Sequence, residues 1–216
     1  MNTKIINKKF IIKHSDGVKF AKESGDFNPI HIDKKYGYNS IYGENITHGI
    51  LLIILFFKKI VIQEKTEIYR INIKFIKPAT YNNYISIKKN SNALTTSFYL
   101  IQDNNNIVEI DFQTQPVEKK NKHLLNKNLI KTLKKISWYT GMKYPGKNSL
   151  LYNFLIEKKK DNFSKVFTIS SRLLDKRLPI IKNIAKFKNY NIFFTSLYRP
   201  FVKIKKIHPK KNIIQS

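Results

Sequence analysis

The segment from Ile50 to Phe57 limits the fold of this chain more than any other part of the sequence. It holds eight apolar residues without a break and is followed by Lys58 and Lys59. A helix formed here is apolar on every side, so it has to be buried on every side. A membrane span needs about 20 apolar residues, which is more than this segment offers. The sequence therefore predicts a short helix enclosed by a curved sheet, and no membrane span.

The start of this helix has the features of an oxygen-binding site. Cap-type residues occur in the stretch Glu44-Asn45-Ile46-Thr47, just before His48 and Gly49. The first backbone N–H groups of a helix have no partner within the helix. We expect Gly49, in the first turn, to leave such groups free to meet a carbonyl oxygen.

A second helix end lies upstream, and it delivers a carboxylate. Ser15 and Asp16 are good helix starters, and Gly25 stands where a left-handed C-cap residue belongs. Asp26 therefore leaves a helix end. Asn28-Pro29 then favours a stiff, extended loop that cannot continue as helix. His31 emerges five positions after Asp26, near enough for both side chains to reach one water molecule.

These residues together resemble a known family. The run SGDFNPIH, followed by Tyr42-Gly43 and then by ITHGIL at 46–51, is similar to the hydratase motif of MaoC-like dehydratases and (R)-specific enoyl-CoA hydratases. Members of that family are hot-dog folds, in which a sheet curls around one long helix. The match is dense through Phe20 to Leu51, moderate in the strands that follow, and faint beyond about Pro116. Family members tend to have a Gly-Asp turn where this chain has Asn82-Asn83, which also tolerates left-handed backbone.

The resemblance implies an activity and a set of site residues. The activity is the reversible hydration of trans-2-enoyl thioesters, or equally the dehydration of (R)-3-hydroxyacyl thioesters, without a cofactor or metal. Asp26 and His31 would be catalytic. Asn28, Gly49 and His48 would bind substrate, with simple packing at the helix start as the other interpretation of His48. The five histidines lack HExxH-type spacing, which also argues against a metal site.

The net charge of +27 calls for a comparison with nucleic-acid binders. The lysines are spread over the whole chain, and no zinc-finger, helix-turn-helix or RNA-recognition signature is present. We therefore do not expect nucleic acid to be the partner. A basic surface also attracts phosphate-rich or acidic partners, and coenzyme A and acyl carrier proteins are of this kind.

Cysteine content and the amino terminus bear on the compartment. The chain has no cysteine, which excludes a disulfide scaffold and thiol chemistry. Its first residues, MNTKIINKKFIIKHSDG, lack the apolar core and cleavage site of a secretory signal. We expect a cytoplasmic protein.

The 216 residues suit one large or two small domains. Alternating apolar residues predict strands at 3–13, 68–76, 84–89, 93–102 and 107–113, with a charged linker from Pro116 to Lys122. A helix over 129–139 and strands at 149–157, 164–171, 180–187 and 192–198 follow. We predict an α+β chain of two hot-dog units: a catalytic MaoC-like domain at 1–117, and a degenerate unit without the catalytic motif at 123–216. A single hot dog with an unrelated tail is the alternative.

The family resemblance leaves three functions open. The first is the hydratase, acting on acyl-CoA or acyl carrier protein substrates, with a homodimer of double hot-dog chains as a further expectation. The second is a non-catalytic acyl-binding or assembly subunit of the same fold. The third is a hot-dog thioesterase, because one fold supports several chemistries.

Overall fold

The computed structural model describes residues 2–60, 66–91, 95–116, 127–159, 164–175, 177 and 179–198 of the 216-residue chain. The elements of the first half are β1 (Asn2–Ile11), α1 (His14–Ser24), α2 (Pro29–Ile32), α3 (Lys34–Tyr38), α4 (Gly49–Lys59), β2 (Thr66–Phe75), β3 (Tyr84–Ser91), β4 (Thr95–Gln102) and β5 (Asn105–Pro116). Those of the second half are α5 (Lys127–Trp138), a π-helix (Tyr139–Lys143), β6 (Ser149–Lys158), β7 (Ser164–Asp175), β8 (Ile180–Lys188) and β9 (Tyr190–Tyr198). Within the described ranges, no helix is both long enough and apolar enough to cross a bilayer.

The nine strands join one antiparallel sheet in the order β1-β3-β4-β5-β2-β6-β9-β8-β7. Strands β2 and β6 pair at its centre, from Arg70 opposite Glu157 to Lys74 opposite Asn153. Outward from that pair, the order β2-β5-β4-β3 of the first half matches the order β6-β9-β8-β7 of the second. In each half a helix, α4 or α5, is therefore followed by four strands, and β1 adds an edge strand to the first half. This arrangement confirms the predicted α+β hot-dog fold.

Helix α4 lies in the core, as its apolar sequence predicts. The side chains of Ile50–Ile54, Phe56 and Phe57 are all buried. The ring of Phe56 meets Phe98 of β4 edge-on at a centroid separation of 5.3 Å, and it lies 6.4 Å from the ring of Phe112 in β5. Burying one such side chain contributes about 1.5–3 kcal/mol. A helix with an apolar surface all round gains this only when other elements enclose it.

The prediction of a loop after Asn28 was wrong. Residues Pro29–Ile32 form the short helix α2, with Pro29 in its first turn. Proline fits there because its missing N–H would be unpaired anyway and its fixed φ is already helical. Asn28 itself has the extended backbone expected before a proline, with φ −57° and ψ 119°. The backbone is thus extended at Asn28 and becomes helical again at Pro29.

The helix of the second half also differs from the prediction. It begins at Lys127 and is followed by a π-helix at Tyr139–Lys143, whereas the predicted helix spans 129–139. The other strands and helices were found with ends shifted by a few residues. The predicted linker lies outside the described residues beyond Pro116. The domain division at 1–117 and 123–216 stays a prediction.

Candidate active site

Helix α1 ends in a left-handed turn that delivers Asp26 to the interior. Gly25 has φ 81°, and its N–H donates to the carbonyl oxygen of Ala21. A residue without a side chain adopts this backbone at no steric cost. Asp26 follows and is only 3% exposed. The predicted C-cap is confirmed, and it turns the carboxylate away from solvent.

The structure brings Asp26 and His31 together. A ring nitrogen of His31 and a carboxylate oxygen of Asp26 lie within 4.8 Å of each other. Two hydrogen bonds of about 2.8 Å from one water span that separation. The break at Asn28 and the immediate restart of helix at Pro29 cause this approach, because they fold the five-residue interval back on itself.

The hydrogen bonds of His31 fix its tautomer. Its Nδ1 lies 2.9 Å from the carbonyl oxygen of Ile46. A carbonyl oxygen only accepts, so Nδ1 carries the hydrogen and the neutral ring keeps a bare Nε2. Burial lowers the pKa of His31, although the nearby Asp26 charge raises it in part. The imidazole is therefore held neutral at neutral pH, with one nitrogen free to accept a proton.

Burial acts on Asp26 in the opposite sense. It raises the pKa of this carboxyl, and three neighbours counter the shift in part: the His31 ring, the Ser137 hydroxyl and the backbone N–H of Asn28. Ser137 Oγ donates to Asp26 Oδ2 at 2.6 Å, and Asn28 N–H donates to Oδ1 at 3.3 Å. A carboxylate whose pKa has been raised is a stronger base than an exposed one.

His48 lies behind the pair and does not line the cavity described below. It is fully buried, its ring centroid is 4.0 Å from that of His31, and its Nε2–H donates to the carbonyl oxygen of Asp26 at 3.1 Å. Tyr81 Oη faces its other nitrogen at 3.5 Å. Sequence reasoning gave His48 a substrate-binding role. Its position instead supports the side chains that line the cavity.

Asp26, His31 and His48 form the one group of three metal-ligand side chains within the described part of the chain. The group does not suit a metal ion. His48 uses one nitrogen on a backbone carbonyl, and the other faces the hydroxyl of Tyr81. Two open ligands remain, fewer than the three protein ligands of a typical catalytic zinc site.

A cavity of about 260 Å³ opens beside the pair. Its polar wall includes Asp26, Asn28, His31, Thr47, Ser137 and Thr140. Its apolar wall includes Leu52, Phe75, Leu150, Leu151 and Leu197. Gly49, the first residue of α4, also lines it. The lining therefore combines acid, base and hydrogen-bonding groups with apolar side chains that suit a hydrocarbon chain.

Several buried polar atoms in this wall lack a protein partner. They are both amide atoms of Asn28 and the hydroxyl oxygens of Thr47 and Thr140. Buried polar groups in native proteins nearly always have a partner, so such atoms around a cavity indicate a polar ligand or ordered water. Asn28 was expected here from the sequence. Thr47 and Thr140 were not.

Comparison with known proteins supports the resemblance to MaoC-like proteins. The family model of the MaoC like domain matches residues 3–97. This match covers less than half of the 216-residue chain. A solved structure described as a MaoC-like dehydratase is 8% identical and covers 92% of this chain and 98% of its own, with a TM-score of 0.58. That likeness extends the shared fold over both halves.

Two further solved structures each match little more than half of this chain. An (R)-hydratase from A. caviae involved in PHA biosynthesis is 17% identical, covers 54% of this chain and 96% of its own, and has a TM-score of 0.47. The R-hydratase PhaJ1 from Pseudomonas aeruginosa is 19% identical, covers 58% and 88%, and has a TM-score of 0.46. A search of the curated proteins finds no match.

The second half of the chain also contributes to the lining of this cavity. Ser137, Thr140 and Gly141 line the cavity, together with Ser149 at the start of β6. The sequence held one signal for them. Ser137 is a polar residue at helical spacing from Leu133 and so lies on the apolar stripe of α5. A serine on such a stripe is buried, so its hydroxyl needs a hydrogen-bond partner inside the protein.

Proposed function

We propose that this protein catalyses the reversible hydration of trans-2-enoyl thioesters, and equally the dehydration of (R)-3-hydroxyacyl thioesters. The observation that carries the proposal is the approach of Asp26 and His31 to within 4.8 Å at the wall of a cavity that also reaches the amino end of α4. The (R) configuration is what the resemblance to the MaoC-like family implies. The thiol carrier is coenzyme A or an acyl carrier protein, which the net charge of +27 attracts.

The first step is the attack of water on the β-carbon. A water between the two side chains donates one hydrogen bond to the Asp26 carboxylate and the other to Nε2 of His31. As its oxygen bonds to the β-carbon, one proton passes to Asp26, whose raised pKa suits it to accept. His31 orients the water, and its bare Nε2 then relays the proton that Asp26 has accepted. Such acid–base catalysis contributes about 10²- to 10⁴-fold in rate.

The second requirement is to stabilise the charge that moves onto the thioester. The electrons of the double bond shift to the carbonyl oxygen and form an enolate. The first-turn N–H groups of α4, beginning with Gly49, have no acceptor within the helix and can donate to that oxygen. Removing one such donor typically costs about 2.7–4 kcal/mol. The α-carbon then takes up the proton that water gave to Asp26, relayed through Nε2 of His31, which completes the addition of water.

Asn28 has the position of a group that holds the polar end of the substrate. Both of its amide atoms are buried without a protein partner, and the residue lines the cavity. We assign it to the water, or to the 3-hydroxyl group that this water becomes. The backbone N–H of Asn28 meanwhile donates to Asp26, so one residue would position both the base and the water.

The test is a panel of trans-2-enoyl-CoA substrates, beginning with crotonyl-CoA and followed by loss of the enoyl absorbance. We expect Asp26→Asn and His31→Ala each to lower turnover by about 100-fold or more. Asp103→Asn replaces an exposed carboxylate in the β4–β5 turn and serves as the control with unchanged turnover.

The same assay separates the alternatives. Wild-type rates in both site variants would overturn the assignment of Asp26 and His31. Release of free thiol without hydration would identify a thioesterase. Saturable binding of acyl-CoA without either reaction would identify an acyl-binding subunit.

A further inference from the structure

The second half of the chain touches Gly25 and Asp26 at three points. Ser137 Oγ donates to Asp26 Oδ2 at 2.6 Å. A Cβ added to Gly25 would lie 3.0 Å from Cδ1 of Trp138, so that ring packs directly on the turn. A Cβ added to Gly141 would lie 2.1 Å from Asp26 Oδ1. Ser137 and Gly141 therefore meet the carboxylate itself, and Trp138 packs on the turn before it.

The contact at Gly141 leaves no room for a side chain. Real Cβ atoms essentially never approach another heavy atom to less than 3.0 Å. At position 141 glycine is required because the Asp26 carboxylate is so close. At position 25 glycine is also favoured by the positive φ. The turn that carries Gly141 is a π-helix, a local widening that occurs frequently at functional sites.

Hydrogen bonds to the second half hold this turn in place. The carbonyl oxygen of Thr140 accepts from Ser149 Oγ at 2.7 Å and from the N–H of Gly146 at 3.0 Å. The hydroxyl groups of Tyr139 and Ser171 lie 3.0 Å apart across the turn and β7. Because these contacts fix the turn, they also fix what it presents to Asp26.

We propose that Ser137 is a positioning residue for the Asp26 carboxylate, so that the second half completes the active site of the MaoC-like domain. The hydroxyl occupies Oδ2 and the backbone N–H of Asn28 occupies Oδ1, which sets the plane of the carboxylate. With its plane set, the carboxylate meets the water near His31 in one orientation. The mechanistic part of this proposal rests on the proposed function.

Ser137 also favours the ionised form of Asp26. Its hydrogen bond lowers the pKa that burial has raised. The titratable groups that face Asp26 are His31 from α2, His48 before α4 and Tyr81 before β3. From α5 and the π-helix the carboxylate meets the uncharged Ser137 and Gly141. Removing the hydroxyl therefore changes the titration of Asp26 without removing a charge.

The test compares Ser137→Ala with Ser137→Thr, which keeps a hydroxyl, and with Ser170→Ala, an exposed serine in β7. We expect Ser137→Ala to lower kcat for crotonyl-CoA hydration by about tenfold with little change in KM. The acid limb of the pH–rate profile should move to higher pH. Ser137→Thr should recover most of both effects, and Ser170→Ala should match the wild type. Unchanged kcat and an unchanged acid limb in Ser137→Ala would overturn the proposal.

A second readout does not need turnover. The full chain is labelled with ¹³C at the aspartate carboxyl carbons, and Asp26 is assigned by its loss in Asp26→Asn. We expect its titration midpoint to be higher in Ser137→Ala than in the wild type. Equal midpoints would refute the role of Ser137 even in an active enzyme. A shifted midpoint in a protein that hydrates no enoyl thioester would support the positioning contact while the proposed reaction fails.

Discussion

The imidazole rings of His31 and His48 lie 4.0 Å apart, centroid to centroid, at an interplanar angle of 33° inside the protein. Each ring donates one hydrogen bond to a backbone carbonyl, His31 to Ile46 and His48 to Asp26. Burial lowers the pKa of both, and for His48 the neighbouring His31 lowers it further. Both rings are therefore neutral in the folded protein near pH 7, which leaves His31 able to accept a proton.

The lowered pKa values of His31 and His48 predict that the folded protein loses stability in mild acid. In the unfolded chain a histidine titrates near its ordinary pKa of 6.5, whereas in the folded protein the pKa of His48 is well below that value. Below about pH 6.5 the unfolded chain therefore binds more protons than the folded one, and the free energy of unfolding falls as the pH falls. We expect His48→Gln, which keeps a donor for the Asp26 carbonyl, to reduce this dependence. Denaturant unfolding at pH 7, 6 and 5 measures it.

The control for this experiment is Ile54→Val, a core change expected to cost about 0.5–1.5 kcal/mol at every pH. It separates a change in the pH dependence of the free energy of unfolding from a loss of stability that is equal at every pH. If His48→Gln kept the full wild-type slope between pH 7 and 5, proton uptake by His48 would not be its source.

The raised pKa of Asp26 has the opposite effect on how stability depends on pH. Burial raises the pKa of its carboxyl, so the folded protein disfavours the charged form relative to the unfolded chain. At pH 7 Asp26→Asn removes that penalty, and the amide oxygen can still accept from Ser137. We expect Tm at pH 7 to rise by about 2–4 °C, the shift that about 1 kcal/mol produces in a chain of this size. The gain should shrink as the pH falls and Asp26 in the wild type becomes protonated.

Calorimetry at pH 7 and pH 5 checks this prediction. Together with the loss of turnover in the same variant, a higher Tm would show that the protein holds a destabilising group because its chemistry needs one. A lower Tm at pH 7 would mean that the ionised carboxylate makes contacts that outweigh its burial.

The sequence predicted the parts of the fold and site that local patterns govern. The apolar run of α4, the C-cap at Gly25 and the spacing of Asp26 and His31 each depend on neighbours within a few residues. The left-handed turn at Asn82, with φ 64°, belongs to the same class. Helix α2 was missed because proline was interpreted as a helix breaker, although at a first turn it is a helix starter.

The remainder depends on contacts between distant residues. Ser137 lies 111 residues from Asp26, and no local period relates the two positions. The pairing of β2 with β6, which brings the halves together, is likewise long-range. The place of His48 behind His31 is decided by the packing of the α4 start against α2. Such contacts follow from the assembled fold and have no signature in one segment.

Gly141 offers a direct test of the space around Asp26. In Gly141→Ala the new methyl group would require the carboxylate to move, because the Cβ position lies 2.1 Å from Oδ1. A displacement of about 1 Å in a catalytic group can cost about 100-fold in rate, and we expect a loss of that order in kcat. Crotonyl-CoA hydration and Tm are measured together. Gly43→Ala is the control, since its Cβ would meet open space while its φ of 72° gives it the cost of a strained backbone.

Near-wild-type turnover in Gly141→Ala would contradict this account of Asp26, because the carboxylate would then tolerate displacement. A loss of turnover in Gly43→Ala of the same size would also contradict it, since backbone strain without a clash on Asp26 would then be sufficient.

The apolar wall from the second half should set the length of the acyl chain. Leu150 of β6 and Leu197 of β9 are paired across the two strands, and both line the cavity. Leu197→Ala lengthens the space and Leu197→Phe shortens it. Since one buried methylene is worth about 0.8 kcal/mol, or roughly fourfold in kcat/KM, the ratio of kcat/KM for hexenoyl-CoA over crotonyl-CoA should rise in the first variant and fall in the second. Leu173→Ala, at a 39% exposed position in β7, should leave the ratio unchanged. Equal ratios in all three variants would mean that the acyl chain lies against the first half alone.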